Sequence, residues 1–420
     1  MSALTLSALA LVGMANANPA WKPKLATTLA PNMYTAIDDT SVYAAQATAP
    51  TSPFRQHYKK GRAFNRFVTI WMENTDYGKA AADPNLAWLA SKGVTLENYF
   101  GITHPSEPNY VASVGGDHFG IDNDSFNQIA ANVSSVIDLL EDKHISWGIY
   151  QEDMPYTGFE GKAWVNQNTK ANDYVRKHNP PVTYNANTSP RRLSCMKNMT
   201  EFSKDLANED LPQWSFITPN MTSDGHDSSV TVAGQWMRNF LEPLMENEYF
   251  MERTLILITF DENHSYTTGN RMFSVLLGGA VQGLEGTKDD KFYNHYSDIS
   301  TVEANWNLHT LGRWDVGANV FDVVAKQTGD IYRPNVAATG ENATIFYNSS
   351  YAGPFNEDFQ RAPYPAPNLN IKSPGTHRTV LPAIKKMWRG SEQRTYYTDD
   401  VEVPDGQNPP RGYAYNDVSN

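Results

Sequence analysis

"FVTIWM", residues 67–72, is an unbroken apolar run of strand length, rich in β-branched and aromatic side chains, and Glu73-Asn74 follows it with no spacer. A strand with one wet face would alternate apolar and polar residues, whereas a continuous run fits a strand covered on both faces, as in parallel sheets. Downstream, Asp83-Pro84 opens "NLAWLASKG" (85–93) as a helix start, and Gly93 stops it. The same grammar recurs. "SVIDLLEDK" (135–143) precedes "ISWGIY" (145–150), "WSFIT" (214–218) precedes "VAGQWMRNFLEPLMENE" (232–248), and "TLILITF" (254–260) precedes "FSVLLGG" (273–279). Apolar strands alternating with helices predict an α/β fold with a mostly parallel central sheet covered by helices on both faces.

The 420 residues allow one large domain or two to three smaller ones. A net charge of −12 disfavours a nucleic-acid partner, because affinity for the phosphate backbone rests on neutralising Lys and Arg. "MSALTLSALALVGMANANPA" (1–20) reads as a signal peptide with Ala15-Asn16-Ala17 as its cleavage site, and its apolar run is too short to span a bilayer. The expected organisation is a signal peptide at 1–17, an extended arm at 18–62, a body at 63–330 and an irregular, wrapping C-terminal segment at 331–420, rich in Pro, Asn and Tyr. A secreted protein, in the extracellular space or cell wall and with no membrane partner, follows from this expectation. Sequons at Asn123, Asn132, Asn187, Asn198, Asn220, Asn263, Asn342 and Asn348 fit a glycoprotein carrying N-linked glycans. Cys195 is the sole cysteine, so no intrachain disulfide is possible.

Acids and amides gather where strands end. Glu73-Asn74 follows the first run, Pro219-Asn220 and then Asp224, His226 and Asp227 follow "WSFIT", and Asp261-Glu262-Asn263 follows "TLILITF". Open α/β sheets bind ligands at the carboxyl ends of their strands. Carboxylates brought together there repel one another unless a cation lies among them, and oxygen donors suit hard divalent metals. The alternative is that these acids cap helix N-termini. "FGITHPSEPNYVASVGG" (100–116) adds a nucleophile candidate. Ser106 stands near the mouth of a predicted helix, where unpaired N–H groups and the helix dipole favour an anion. Its competing role is that of an ordinary N-cap. His104, His226 and His295 lie close in sequence to these clusters and are candidate proton donors.

"MEN", "THPSEPNY", "PNMTSDGHD", "TFDEN" and "NHYS", in that order over residues 65–325, resemble the phosphoesterase family of the alkaline-phosphatase superfamily, which contains phospholipases C and secreted acid phosphatases. The likeness is greatest to fungal phosphate-repressible acid phosphatases. It implies an alkaline-phosphatase-like fold, with the body at 63–330 as the catalytic domain. It also implies a divalent metal held by Glu73, Asn74, Ser106, Asp261 and Glu262, with Ser106 also the nucleophile and His104, Asn109, His226, Asp227 and His295 around the phosphoryl group. "DE" at 261–262 stands where "DH" is usual, so one metal of open identity is expected. The implied activity is hydrolysis of small phosphate monoesters through a phosphoserine, best at acid pH, for phosphate scavenging. A phospholipase C-type phosphodiesterase is the alternative; no strongly apolar loop favours it. Asn220 and Asn263 fall inside the proposed site and are expected to be bare, while Asn187, Asn198, Asn342 and Asn348 are the favoured acceptors.

Overall fold

The computed structural model describes residues 58–166, 169–335, 353–356 and 363–401, together with a short strand at Met33–Tyr34. The signal peptide, most of the arm, Asn342, Asn348 and the final residues of the tail lie outside the described residues.

Eight strands form the central sheet: β1 (Arg66–Met72), β2 (Val94–Phe100), β3 (Trp147–Gln151), β4 (Met196–Asn198), β5 (Trp214–Thr218), β6 (Thr254–Phe260), β7 (Arg271–Leu277) and β8 (Thr287–Asn294). Their order is β8-β2-β7-β6-β1-β5-β3-β4. Only β7 runs antiparallel to its neighbours. Every residue of β1, β5 and β6 is buried, as continuous apolar runs require of strands covered on both faces.

The covering helices follow from local signals. Asp83 caps α1 (Pro84–Ala90) by accepting the N–H groups of Asn85 and Leu86 at 2.9 and 3.1 Å. Ser135 and Asp138 form a reciprocal capping box on α3 (Val136–Asp142), which follows α2 (Ser106–Gly115) in the chain. Gly116 ends α2 at a φ of 71°, a left-handed conformation in which a Cβ would also crowd Asp315 at 3.0 Å. One layer pairs α1 with α4 (Val230–Met245); elsewhere α2 packs on α5 (Tyr296–Trp306).

The C-terminal segment returns along this body. Thr310 and Val380 form a parallel bridge, α6 (Pro382–Trp388) packs beyond it, and the hydroxyls of Tyr396 and Tyr397 both donate to buried Asp117 Oδ2, just past the end of α2. Burial raises the Cys195 thiol pKa, so this cysteine is an inert core residue rather than a link to another chain. Asn187 and Asn198 are also buried. The Asn187 side chain donates to Ser135 Oγ at 3.1 Å and Asn198 caps the following helix, so the fold has no room for a glycan on either favoured acceptor.

A buried acid makes stability depend on pH. Glu303, fully buried in α5, is held well above the usual carboxylate range, first by burial and then by the Asp315 charge. The folded protein therefore keeps a proton that the unfolded chain has lost above its ordinary pKa, and stability falls as pH rises through that window. The buried histidines with lowered pKa values oppose this trend only below about pH 6.5, where unfolded histidine protonates. Glu303→Gln is expected to melt near the wild-type temperature at pH 5 and above it at pH 8. Scanning calorimetry at both values checks this, and a variant less stable at pH 8 would contradict it.

Candidate active site and metal centre

β6, β1, β5 and β3 are consecutive and parallel, so their carboxyl ends open side by side. The register sets Met72 opposite Phe260, which makes Glu73 and Asp261 neighbours at the first residue beyond the sheet. The ladder continues past the strands. Asp261 N–H donates to Met72 O at 3.1 Å, and Glu73 N–H donates to Asp224 O at 3.0 Å. Asn74 turns back at a positive φ of 22°, and its N–H donates to Asp261 Oδ1 at 3.3 Å.

α2 brings Ser106 into this group. The helix begins at Ser106 itself, with Pro105 in the cap position and no side-chain cap bond, so Ser106 is not an N-cap. Its Oγ instead donates to Glu73 Oε2 at 3.1 Å and lies 3.5 Å from Glu262 Oε1. Tyr110, one turn further on, donates to Glu73 Oε1 at 2.6 Å. Glu73, Asn74, Ser106, Asp261 and Glu262 therefore converge.

This donor set is incomplete as it stands. Glu73, Asp261 and Glu262 are fully buried, and Asp261 Oδ2 finds no hydrogen-bond partner among the described residues. Burial, together with their mutual charges, holds Glu73 and Glu262 well above the usual range, and burial pushes Asp261 up to about 7. The Asn74 amide nitrogen donates to Glu73 Oε2 at 3.0 Å and to Asp261 Oδ1 at 3.2 Å. Carboxylate and hydroxyl oxygens crowded without enough counter-charge fit a hard divalent cation.

On its other side Glu73 meets a residue that sequence reasoning missed. His178 Nε2 lies 3.1 Å from Glu73 Oε1, its Nδ1 lies 3.7 Å from Asp224 Oδ2, and all three side chains are buried. Their ligand atoms are close enough together to hold a metal ion. The His178 carbonyl accepts from Gln151 Nε2 and Thr218 Oγ1, each at 3.1 Å, so the last residues of β3 and β5 pin this loop. The available signal was topological: a basic stretch after β3 must arrive beside β5.

The remaining candidates divide. His104 is buried with Nδ1 against Glu262 Oε2, its ring stacks on Tyr266 at 3.9 Å, and burial pushes its pKa down to about 4. His226 is partly open to solvent, bonds Asp227 Oδ1 through Nδ1 at 2.7 Å, and stands 6.2 Å from the His178 ring. Asn109 is not free to face a phosphoryl group. Its Oδ1 accepts from the N–H groups of Ile102 and Thr103, its Nδ2 donates to the carbonyls of Thr103 and Pro105, and the residue is fully buried. Asn109 therefore shapes the loop that delivers Ser106.

His295 is also spent. Its Nε2–H donates to Asp261 O at 2.6 Å, and its Nδ1 lies 3.2 Å from the Tyr99 hydroxyl oxygen. Tyr99 O–H in turn donates to buried Asp298 Oδ1 at 2.7 Å. His295 thus braces the Asp261 backbone from below and cannot serve as the proton donor considered above.

The Phosphoesterase family model matches residues 53–309. The chain belongs to this family. An acid phosphatase of Aspergillus fumigatus is 54% identical over 74% of this phosphoesterase and 69% of its own length. A phosphate-repressible acid phosphatase of Penicillium chrysogenum is 47% identical over 87% of each chain. A solved protein of the alkaline phosphatase superfamily from Vibrio parahaemolyticus aligns at 11% identity and a TM-score of 0.40, covering 69% of this chain and 81% of that one.

Proposed function

We propose that this phosphoesterase is a secreted acid phosphatase that hydrolyses small phosphate monoesters through a phosphoserine at Ser106, for phosphate scavenging. The observation carrying this reading is the Ser106 hydroxyl, held at the first residue of α2 and bonded to the Glu73 carboxylate at the ends of β1 and β6. The acid phosphatase relatives, similar over most of their length, support the reaction class.

Glu73, Asn74, Ser106, Asp261 and Glu262 would hold one divalent metal. When bound, it would supply Lewis acidity toward the serine oxygen and the phosphoryl oxygens. Ser106 Oγ attacks phosphorus in line and forms a P–O bond as the bond to the departing alcohol breaks. The Ser106 proton passes to a neighbouring carboxylate, for which Glu73 Oε2 is placed. His226, reachable from solvent and oriented by Asp227, gives the alkoxide its proton. Water then hydrolyses the phosphoserine. No described helix is long and apolar enough to cross a membrane.

Acid quenching during turnover of a phosphorus-labelled monoester, followed by peptide mapping, is expected to place the label on Ser106. Label elsewhere, or a diester consumed faster than the monoester, would overturn the proposal.

A further inference from the structure

Lys177 and Asp124 form a unit that the reaction above does not use. Lys177 Nζ lies 2.7 Å from Asp124 Oδ2, and Asp124 Oδ1 accepts the N–H of Glu107 at 3.0 Å. Glu107 directly follows the proposed nucleophile, so Asp124 ties the ammonium to the first turn of α2. The neighbouring residues fix the lysine from behind. Arg176 is buried, with its guanidinium on the carbonyls of Asn127 and Val182, and His178 meets Glu73.

An ammonium has three donors, and the Asp124 bond uses one. The other two have no partner among the described residues. The Lys177 side chain is mostly buried, yet its charge acts on Glu73, Asp261, Glu262 and Asp224 together. A flexible lysine buried at an acidic site, with donors to spare, suits an anion that enters and leaves.

We propose that Lys177, aimed by Asp124, binds a non-bridging oxygen of the phosphoryl group and selects monoesters over diesters. This deepens the phosphatase reading and rests on it. A diester has esterified one of the oxygens that would carry this charge, whereas a monoester gains a second negative charge as its last proton leaves near pH 6. The lysine should therefore matter most for the dianion.

The test compares Lys177→Gln, Lys177→Arg and Asp124→Asn with wild type in the metal-loaded enzyme, using p-nitrophenyl phosphate, bis-p-nitrophenyl phosphate and inorganic phosphate as an inhibitor. Lys177→Gln is expected to raise KM for the monoester and the inhibition constant of phosphate by about ten- to a hundred-fold, the range for a lost charged hydrogen bond. Any diester turnover should change less than two-fold, kcat should fall less than KM rises, and the penalty should be larger at pH 7 than at pH 5. Lys177→Arg should recover most of the affinity, and Asp124→Asn should fall between. Unchanged KM and phosphate inhibition, or equal losses for both esters with metal content preserved, would overturn the proposal. Loss of bound metal in Lys177→Gln would also overturn it, by assigning the lysine to site integrity. A wild-type enzyme that prefers the diester instead refutes the underlying phosphatase reading, which separates the two failures.

Discussion

Ser106→Ala is expected to lower monoester turnover by at least about a thousand-fold, in line with the loss of a covalent nucleophile. The trapped phosphoenzyme should vanish with it. The substitution removes one oxygen from a buried position, and α2 loses no cap because Ser106 is not its cap. Folding is therefore expected to survive, and alanine is the better helix former. Circular dichroism should match wild type closely while the rate collapses. Retention of more than about a tenth of the activity would sink the serine as nucleophile. Water could then be attacking directly.

Asp261→Asn is expected to cut metal content and activity together, by about a hundred-fold or more, since even groups that only orient ligands cost up to that much. Its second effect has the opposite sign. In chelated protein the Asp261 charge raises the proton affinity of Glu73 and Glu262, and burial pushes Asp261 itself up to about 7. The unfolded aspartate titrates near 4, so the metal-free fold loses stability as pH rises from about 4 to 7. An amide removes that penalty. Chelated Asp261→Asn should thus melt above chelated wild type at pH 7, and the difference should close near pH 4. A variant that melts lower at pH 7, or keeps full metal content, would contradict the donor set.

Sequence patterns located the strands that are buried on both faces, because an uninterrupted apolar run leaves few other structures open to it. They passed over β8, "TKDDKFYN", and β4, "MKN", which lie at the two edges of the sheet where charge is tolerated and even protective. They also passed over β2, "VTLENYF", whose Glu97 turns outward to Lys288. In the site, Glu73 and Asp261 were legible because adjacent parallel strands bring their next residues together. Asn109 and His295 were misplaced for one reason. Nearness in a motif says nothing about which atoms the backbone has already claimed, and both side chains are fully engaged in holding loops. His178 was hidden because its place depends on strand order, which a linear sequence does not display.

The two tyrosine hydroxyls on Asp117 carry a consequence for how the chain is made. Asp117 closes the far end of the helix whose first residue is Ser106, yet those donors lie 279 and 280 residues further along. A ribosome must therefore reach Tyr396 and Tyr397 before the end of that helix gains them. A chain cut short after α6 would carry Ser106 and every other proposed ligand and still expose a face of Asp117 that Tyr396 and Tyr397 otherwise seal. A protein trimmed to residues 63–330 would thus hold the full chemistry in a less finished frame.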